Sequence, residues 1–574
     1  MLTRLKVRNF KRFVNVDIEL GKSVVFIGPN NSGKTTALQA LALWDIGLRQ
    51  WNAKRSGKAS PKKRPGVTIN RHDLVSIPVP AANLLWRGLH VRNMDKVKGK
   101  TQTRNIRVDI SIDGITNGKS WSCGLEFDYS NEESFVCRPL RLPEYEEQPV
   151  GKAEFSEVPP EASEVKMAYL PPMSGLSDRE FVKQQGEIDF LIGQGQTAQV
   201  LRNLCYKLSQ NEDKSALDNI KQQISSLFGV KLLKPNYIPE RSEIIMEYEE
   251  GRTRLDLSSA GRGLHQTLLL LAHLYANPGT VLLLDEPDAH LEILRQREIY
   301  GLLTDVTEQQ NSQIIAASHS EVVLNEAADR GKVIAFVGKP HVMNPQSRQV
   351  LKSLKSIGWD QYYQAEETGW VLYVEGATDL NILRAFAKIL DHSAAKYLNR
   401  PFVHYVGNLP NKAREHFFGV REAKPDLQGI AIFDRLDQSL HSDSELIELM
   451  WNRREIENYF CTEEVLLAYA QQHQPGGLFS QSKVDAMHES ISEVAKLLEI
   501  DELAPWSSDI KATDQVFDRV FRLFFKKLDL SITFGKSDYH ELASLLSKDK
   551  IDAEIMEKLD AIAEVAKKAT PRTE

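Results

Sequence analysis

Short apolar runs alternate with amphipathic stretches along much of the chain. The first run covers residues 23–27 (SVVFI) and is followed by a glycine-containing loop and a helical pattern from Ala37. Similar runs recur at 281–284, 314–317, 370–374 and 429–433. Continuous apolar runs of this length are typical of parallel strands that are buried on both faces of a sheet. The pattern therefore predicts an α/β fold.

The loop after the first run is a complete phosphate-binding loop. It reads Gly28, Pro29, Asn30, Asn31, Ser32, Gly33, Lys34, Thr35 and Thr36. In such a loop the backbone N–H groups wrap a phosphate, the lysine reaches the β- and γ-phosphates, and the next hydroxyl ligates Mg²⁺. The positive end of the following helix adds to the attraction. We predict that ATP is bound by Gly28, Asn30, Asn31, Ser32, Gly33, Lys34, Thr35 and Thr36, with Thr35 as a magnesium ligand.

Composition is that of an ordinary globular protein. The 574 residues allow several domains, because one domain commonly has ~100–200 residues. No apolar run approaches the ~18 residues of a membrane span, and the first residues lack the apolar core of a signal peptide. The four cysteines include no CxxC pair, so neither a zinc site nor a disulfide framework is indicated. We expect a cytoplasmic location.

The net charge is −6, but basic residues are concentrated in one early region. No acid interrupts the stretch from Arg49 to Arg71, and a second basic stretch follows. A surface that contacts DNA phosphates would have this composition. A solvated insertion would have it as well, and both interpretations stay open. The residues are Arg49, Lys54, Arg55, Lys58, Lys62, Lys63, Arg64, Arg71, Arg92, Lys96, Lys98, Lys100, Arg104 and Arg107.

Two later runs end in residues that suit ATP hydrolysis. The run at 281–284 closes on Asp285 and Glu286. Asp285 would hold Mg²⁺ through water, and Glu286 would orient or deprotonate the attacking water. The next run ends at His319, where a γ-phosphate sensor would lie. The alternatives are a strand cap with two exposed acids and a purely structural histidine.

Small residues open a predicted helix ahead of the acidic run. The segment 257–264 (LSSAGRGL) precedes this helix, and N–H groups at a helix start can bind a phosphate. The segment is similar to the ABC signature, which completes the ATP site of a second subunit and would use Ser259 and Gly261. Ala260 and Arg262 depart from that signature, and a plain helix cap is the alternative. The signature interpretation predicts a homodimer.

The first part of the chain resembles the ATPase heads of the RecF, SMC and overcoming-lysogenization-defect (OLD) group. The order of opening strand, phosphate loop, signature, acidic strand and histidine carries the resemblance, which covers about residues 1–335. It implies an ABC-type P-loop ATPase domain, which we place at 1–337. A helical insertion for packing or dimerisation is predicted at about 178–228, and no heptad run suggests an SMC rod. Its apolar positions are Phe190, Leu191, Val200, Leu201, Leu204 and Leu208.

Acidic residues end two apolar runs in the second half. Glu375 follows the run at 370–374, with Asp379 four residues on, and Asp434 ends the last run, with Asp437 close behind. Parallel strands end at the edge of the sheet where ligands bind. Acids that converge there need cations to stay ionised together, and hard oxygen ligands suit Mg²⁺ or Mn²⁺. Sites that hold two such ions commonly catalyse the hydrolysis of phosphodiesters. The alternative is a non-catalytic Rossmann-like domain with acidic strand caps.

The strands before Glu375 and Asp434 are similar to a Rossmann-like Toprim domain, which we place at 370–470. An ABC-type ATPase followed by Toprim is the architecture of the OLD-family nucleases. The Gabija-type and retron-associated anti-phage nucleases are members of that family.

This resemblance implies that Glu375, Asp434 and Asp437 bind one metal ion and that Asp379 and Glu457 help with a second. The family commonly has Asp-x-Asp, whereas two residues separate Asp434 from Asp437 here. Either the loop bulges to bring Asp437 round, or one ligand is lost.

The remaining segments are a polar link at 338–369, predicted to be irregular, and a helical C-terminal region at 471–574. OLD-family members carry a late lysine that stabilises phosphate charge in the transition state. Lys536 is the candidate for this role, and a surface lysine at a helix start is the alternative.

The sequence thus leads to the hypothesis of an ATP-binding, Mg²⁺- or Mn²⁺-dependent endonuclease acting on double-stranded DNA in anti-phage defence. The resemblance implies a homodimer or higher oligomer and a second component, such as a helicase or a retron reverse transcriptase with its nucleic acid. Two rivals stay open: an ATP-driven sensor or clamp that does not cut, and a RecF- or SMC-like repair ATPase. The catalytic residues would be Glu375, Asp434, Asp437, Glu457, Lys536 and Glu286.

Overall fold

The computed structural model of the chain divides into two compact units, Met1–Pro345 and Gln346–Glu574. It describes residues 1–55, 66–74, 76–77, 79–97, 100–146, 148, 150–173, 176–211, 214–343, 358–441, 443–472, 480–500, 502–504, 506–530 and 534–572. None of the helices in these ranges has the length and apolarity of a membrane span.

The first unit combines strands from its whole length with helices that cover them. Its strands are β1 (Leu2–Phe10), β2 (Phe13–Glu19), β3 (Ser23–Ile27), β4 (Val67–Asn70), β5 (Arg92–Val97), β6 (Lys100–Asn105), β7 (Arg107–Thr116), β8 (Lys119–Asn131), β9 (Ser134–Pro139), β10 (Met167–Leu170), β11 (Lys231–Leu232), β12 (Asn236–Ile238), β13 (Glu243–Ile245), β14 (Glu247–Glu250), β15 (Thr253–Asp256), β16 (Val281–Asp285), β17 (Gln313–Ser318), β18 (Lys332–Ala335) and β19 (His341–Val342). Its helices are α1 (Lys34–Arg55), α2 (Pro160–Ser163), α3 (Gln185–Gly193), α4 (Leu201–Gln210), α5 (Ser215–Phe228), α6 (Arg262–Ala276), α7 (Ile293–Gln309) and α8 (Glu321–Arg330).

A six-stranded sheet with the strand order β10-β16-β17-β3-β18-β19 carries the residues predicted to bind the nucleotide. All neighbouring strands are parallel except β18 and β19. The strand β17 lies between β3 and β16, although it follows both in the sequence. The phosphate loop after β3, the acids at the end of β16 and His319 after β17 therefore meet at one edge. The predicted α/β class is confirmed.

Helix α1 is enclosed between this sheet and a second, antiparallel sheet with the order β2-β1-β7-β8-β9-β4. Because both sides of α1 are covered, apolar residues occur all round it and not in one stripe. Trp44 is fully buried, stacks on Trp121 with ring centroids 6.0 Å apart, and donates from Nε1 to the carbonyl oxygen of Cys123. These contacts hold the middle of α1 against strand β8 of the antiparallel sheet.

The predicted helical insertion consists of α3, α4 and α5. Helices α4 and α5 pack against α6 through buried side chains such as Leu204, Leu208 and Ile220. They do not form an isolated hairpin. Phe190 is 42% exposed, so this predicted packing position is not part of the core.

The second unit is built on a four-stranded parallel sheet. Its strands are β20 (Trp370–Val374), β21 (Val403–Tyr405), β22 (Gln428–Phe433) and β23 (Leu446–Met450). Its helices are α9 (Trp359–Thr368), α10 (Ala377–Ile389), α11 (Ala395–Leu398), α12 (Pro410–Arg421), α13 (Glu463–Gln472), α14 (Ser480–Ile500), α15 (Asp518–Lys527), α16 (Tyr539–Ala543) and α17 (Ala553–Lys568).

The strand order is β21-β20-β22-β23, and every neighbouring pair is parallel. Buried clusters cover both faces. One cluster contains Leu372, Ile430 and Ile562, and the other contains Tyr373 and Phe417. This two-sided burial explains why the runs that form β20 and β22 are continuously apolar.

One predicted segment differs from the structure. The end of the predicted irregular link is helix α9, in which Trp359, Tyr362 and Ala365 are buried. Three apolar residues at a spacing of three among polar neighbours give a weak helical signal. Gly369 ends this helix with φ +72°, a conformation that favours glycine. Residues 344–357 of the link lie outside the described residues.

Candidate functional site

The phosphate loop closes around its own lysine. Lys34 is buried, and its Nζ donates to the carbonyl oxygens of Gly28 (2.8 Å) and Pro29 (2.9 Å). Burial lowers the pKa of Lys34. A Cβ on Gly33 would lie 2.8 Å from a ring carbon of Phe13, so only glycine fits at this position. Ser32 Oγ is buried without a hydrogen-bond partner among the described residues, a polar group that suits a phosphate.

The other predicted loop residues surround this lysine. Asn30 and Asn31 are exposed, and Asn31 has φ +62°. Thr35 and Thr36 lie in the first turn of α1. Both groups are therefore at the start of the helix, where an anion is attracted.

Asp285 is held by hydroxyl groups from two other elements. Thr35 Oγ1 donates to Asp285 Oδ1 (3.1 Å), and the Tyr169 hydroxyl on β10 donates to Oδ2 (3.3 Å). Burial raises the pKa of Asp285 to about 6, and the hydrogen bond from Thr35 opposes the rise. A carboxylate and a threonine hydroxyl beside a phosphate loop are oxygen donors that fit Mg²⁺ with a bound nucleotide.

Glu286 and His319 face each other at the ends of β16 and β17. The Glu286 N–H donates to the carbonyl oxygen of Ala317 (2.8 Å), and Glu286 Oε1 is 3.9 Å from His319 Nδ1. Their side chains are 38% and 52% exposed, so both are accessible from solvent. Asp288, two residues after Glu286, is buried, and burial raises its pKa.

The predicted signature segment leaves a helix start open. Ser259 and Gly261 are exposed, and no described atom outside its chain neighbours lies within 4 Å of a Cβ built on Gly261. Further along α6, Gln266 Nε2 donates to the carbonyl oxygen of Pro287 (3.3 Å), directly after Glu286. Ser259 and Gly261, just before α6, are thus accessible to another molecule, while the body of α6 is tied to the loop that carries the acids.

The basic region is only partly described. Lys58, Lys62, Lys63, Arg64 and Lys98 lie outside the described residues, as do the side chains of Lys96 and Lys100. Arg49, Arg71 and Arg107 form ion pairs with Asp45, Glu133 and Glu126, respectively. The positive charge of these three arginines is therefore used within the first unit.

In the second unit, Asn408 joins Glu375 and Asp434 at the carboxyl ends of β20 and β22. Asn408 Nδ2 donates to Glu375 Oε2 (2.6 Å) and to Asp434 Oδ2 (3.0 Å). The Asp434 N–H donates to Asn408 Oδ1 (2.9 Å). Burial, followed by the hydrogen bond with Glu375, raises the pKa of Asp434 to about 8. Two carboxyl groups in this relation favour a cation between them.

Further acids, half-buried or buried, lie beside this pair. Asp379 Oδ2 accepts a hydrogen bond from the N–H of Gly376 (3.2 Å), and burial raises the pKa of Asp379 to about 6. Glu455 and Glu457 are 6% and 5% exposed. Burial raises the pKa of Glu457 well above its usual range, and the charges of Glu455, Asp379 and Asp434 add to the rise.

Two lysines lie near Glu455. Burial raises the pKa of Glu455, and the positive charges of Lys511 and Lys536 oppose the rise. Lys536 is exposed and begins a short 3₁₀ helix, Lys536–Asp538, that contacts α10. The structure therefore brings the predicted late lysine next to the acidic group.

Asp437 is not brought to the other predicted ligands. It is exposed in the loop after β22 and forms no hydrogen bond or ion pair with any described residue. Within the described ranges, no three His, Cys, Asp or Glu side chains are grouped closely enough to hold a metal ion. At this sheet edge, Glu375 and Asp434 share the amide of Asn408.

Two family profiles match the first unit. Residues 1–45 match the family described as "AAA ATPase domain". Residues 164–325 match the family described as "AAA domain, putative AbiEii toxin, Type IV TA system". These ranges include the phosphate loop, Asp285, Glu286 and His319. The predicted P-loop ATPase head is confirmed.

A curated relative is named "OLD nuclease" and comes from Thermus scotoductus (strain ATCC 700910 / SA-01). The two sequences are 23% identical over 338 residues. The predicted resemblance to the OLD family is confirmed. The match covers 56% of this chain and 59% of the OLD nuclease, so the chain spans less than two thirds of that relative.

Solved structures of SMC heads also match. The SMC head domain from Thermotoga maritima is 18% identical, with 59% of this chain and 97% of that chain covered and a TM-score of 0.29. The Smc head from Pyrococcus furiosus, bound to the C-terminal domain of ScpA, is 15% identical, with 62% and 99% covered and a TM-score of 0.33. Similarity at this level says nothing about activity.

The OLD resemblance directed attention to the acids, but it missed the residues that orient them. Asn408 and Tyr169 each hydrogen-bond a predicted site carboxylate. Glu455 is a further acid near Glu457, and Lys511 is a further lysine near Glu455. The Gly407-Asn408 pair is a turn signal that sequence reasoning could have used. Tyr169 has no comparable local signal, because its partner is 116 residues away.

Proposed function

We propose that the chain is an ATP-binding, metal-dependent DNA endonuclease, with a Toprim nuclease site in the second unit and an ABC-type ATPase head that controls it. The observation that carries the proposal is the Glu375–Asp434 pair at the carboxyl edge of a parallel sheet, beside half-buried Asp379 and buried Glu457. The OLD nuclease relative supports the same assignment. A role in anti-phage defence follows from that resemblance.

The acidic edge fits a hard divalent cation. Mg²⁺ commonly uses one or two protein carboxylates and completes its shell with water and substrate phosphate oxygens. Glu375 and Asp434 would hold the ion, and Asp379 and Glu457 would serve a second one. When bound, such ions stabilise charge on the scissile phosphate and generate a nucleophile from water.

Side chains at the acidic edge would lower the electrostatic cost of binding a DNA phosphate there. Burial raises the pKa of Glu457 well above its usual range, which favours the neutral form of this acid where no cation is bound. Lys511 and Lys536 supply positive charge on the side of Glu455. They would attract the DNA phosphate and offset the negative charge that develops on it during hydrolysis.

The ATP site would be completed by a second copy of the chain. Lys34, Thr35 and Asp285 of one copy would hold the nucleotide and its Mg²⁺, and Ser259 and Gly261 of the other would approach the γ-phosphate. The exposure of Ser259 and Gly261 supports this arrangement, because no described atom outside its chain neighbours lies within 4 Å of a Cβ built on Gly261.

Within this ATP site, Glu286 would orient the attacking water and His319 would respond to the γ-phosphate. The contact between α6 and Pro287 would then couple closure of the dimer to the residues that hydrolyse ATP. We propose that this closure controls access of DNA to the acidic edge.

A second candidate is an ATP-driven DNA sensor or clamp that does not cut. The exposed position of Asp437 favours it, because the edge then has two close carboxylates where the family pattern has three.

Incubation with supercoiled plasmid separates the two functions. Purified protein would be tested with Mg²⁺, Mn²⁺ or EDTA, each without nucleotide and with ATP, ADP or a non-hydrolysable analogue. The endonuclease proposal predicts nicked or linear DNA with a metal and intact plasmid in EDTA. Metal-dependent cutting that persists in the Asp434→Asn variant, or DNA binding without cutting in every condition, would reject it.

A further inference from the structure

The orientation of the Asn408 amide is fixed by its contacts. The backbone N–H of Asp434 points at one atom of the amide, and only the oxygen can accept it. The Nδ2 group must therefore face the two carboxylates. It has two N–H bonds, and it donates to one oxygen each of Glu375 and Asp434. The amide thus acts as a donor towards the acids and not as a metal ligand.

The backbone of the same segment is tied to β20. After β21, the Val406 N–H donates to the carbonyl oxygen of Val374 (3.1 Å), and the Gly407 N–H donates to that of Glu375 (3.3 Å). Gly407 and Asn408 then have φ of +57° and +54°. Glycine and asparagine are the residues that adopt this left-handed conformation most readily. The turn therefore places the amide beside Glu375 with little freedom.

The Asn408 amide offsets the repulsion between the Glu375 and Asp434 carboxylates without adding a charge of its own. Two carboxylates that share one amide nitrogen repel each other, and N–H donors to both of them oppose that repulsion. The Asn408 amide engages only one oxygen of each carboxylate. A third carboxylate in the same place would instead increase the repulsion until a cation is bound.

We propose that Asn408 is a positioning residue of the nuclease site, which holds Glu375 and Asp434 together for one divalent cation where a third carboxylate would otherwise stand. The inference rests on the proposed nuclease function. Asp437, the residue expected to supply that third carboxylate, is exposed and apart from the pair.

Calorimetric titration of Mn²⁺ into the full-length chain, without nucleotide, tests this role. Wild type, Glu375→Gln and Asn408→Ala would be compared with Asn411→Ala, an exposed asparagine in the same segment. Loss of a residue that orients metal ligands commonly weakens metal binding by ~10–100-fold. We expect a loss of that size in Asn408→Ala, wild-type affinity in Asn411→Ala, and no binding at this site in Glu375→Gln.

The titrations distinguish the positioning role of Asn408 from the proposed metal site of the nuclease. Unchanged Mn²⁺ binding in Glu375→Gln would overturn the proposed metal site itself. Binding that is lost in Glu375→Gln but has wild-type affinity in Asn408→Ala would overturn only the role of Asn408.

A second variant keeps the inference testable if Asn408→Ala does not fold. Asn408→Asp keeps the shape, the left-handed backbone and the oxygen that accepts from Asp434, but replaces the two donors with a charge. We expect a lower Tm than wild type without metal and a larger gain in Tm on adding Mn²⁺. A gain equal to that of wild type would contradict the positioning role.

Discussion

Tyr169 donates a hydrogen bond to Asp285, with 3.3 Å between the hydroxyl and Oδ2. The other carboxylate oxygen accepts from Thr35, so hydroxyls of two different elements fix the orientation of this acid. The arrangement depends on the parallel pairing of β10 with β16, which places Tyr169 opposite Leu283. The magnesium ligand of the proposed ATP site is therefore positioned from a strand that carries no recognised nucleotide motif.

Tyr169→Phe should weaken the use of Mg²⁺ in ATP hydrolysis. The ring stays in place, but Asp285 loses one of its two hydroxyl donors. The Mg²⁺ concentration for half-maximal hydrolysis should rise by about 10-fold, the lower end of the effect of outer contacts on metal sites. Tyr275→Phe is the matched control, because the Tyr275 hydroxyl contacts Gln223 and not Asp285. Equal Mg²⁺ dependence in the two variants would reject a role for Tyr169.

A mixing experiment tests the shared ATP site. Lys34→Ala removes the phosphate-binding lysine but keeps the signature segment, and Ser259→Arg blocks that segment but keeps the lysine. Each variant should be inactive alone in ATP hydrolysis. A mixture should recover activity, because a mixed dimer has one site with an intact lysine and an intact Ser259. Full hydrolysis by Ser259→Arg alone would show that each copy hydrolyses ATP without the other.

The local patterns predicted what lies within one strand and its loop. The strands β3, β16 and β20 are buried along their whole length, which explains their apolar runs. Gly28 and Glu375 directly follow β3 and β20, and Asp285 is the last residue of β16. The shared edge also followed from the rule that parallel strands end together. These features needed no knowledge of long-range contacts.

What the sequence did not predict depends on side chains that meet across the fold. Asn408 reaches Asp434 over 26 residues and Tyr169 reaches Asp285 over 116, and neither pair has a periodic pattern. Asp437 shows the converse. Its closeness to Asp434 in the sequence suggested a shared ligand role, but the loop turns its side chain towards solvent.

The two aspartates after β22 should respond differently to loss of charge. Asp434→Asn removes one of the two carboxylates joined by Asn408, so DNA cleavage should fall by more than the ~100-fold typical of outer contacts. Asp437→Asn changes an exposed side chain without a described partner, so its loss should stay below about 10-fold. Rates of plasmid nicking at saturating Mn²⁺ measure both. Equally large losses would show that Asp437 joins the site when DNA or metal binds.

His416 should make the second unit sensitive to acid. Its ring stacks on His404 at 3.7 Å, and burial, followed by the charge of His404, lowers the pKa of His416 to about 3. The ordinary value is ~6.5, so the unfolded chain takes up a proton first as the pH falls. The stabilisation from neutral His416 is complete above pH ~6.5 and is lost progressively down to pH ~3.

The comparison of wild type with His416→Gln tests this sign. Below pH ~6.5, the free energy of unfolding of the wild type should fall by up to about 1.4 kcal/mol more per pH unit than that of the variant. Urea denaturation at a series of pH values measures the slope. His488→Gln, which changes an exposed histidine on α14, is the control. Equal slopes for wild type and His416→Gln would contradict the low pKa.

The proposed function assigns ATP hydrolysis to the phosphate loop and DNA cleavage to the acidic edge. Both activities can be measured in one reaction, as ATP turnover and plasmid cleavage, for wild type, Glu375→Gln and the exposed control Glu415→Gln. Glu375→Gln should hydrolyse ATP at the wild-type rate and leave the plasmid intact, while Glu415→Gln should hydrolyse ATP and cleave the plasmid as wild type does. Plasmid cleavage by Glu375→Gln at the wild-type rate would show that DNA is cut elsewhere than at the acidic edge.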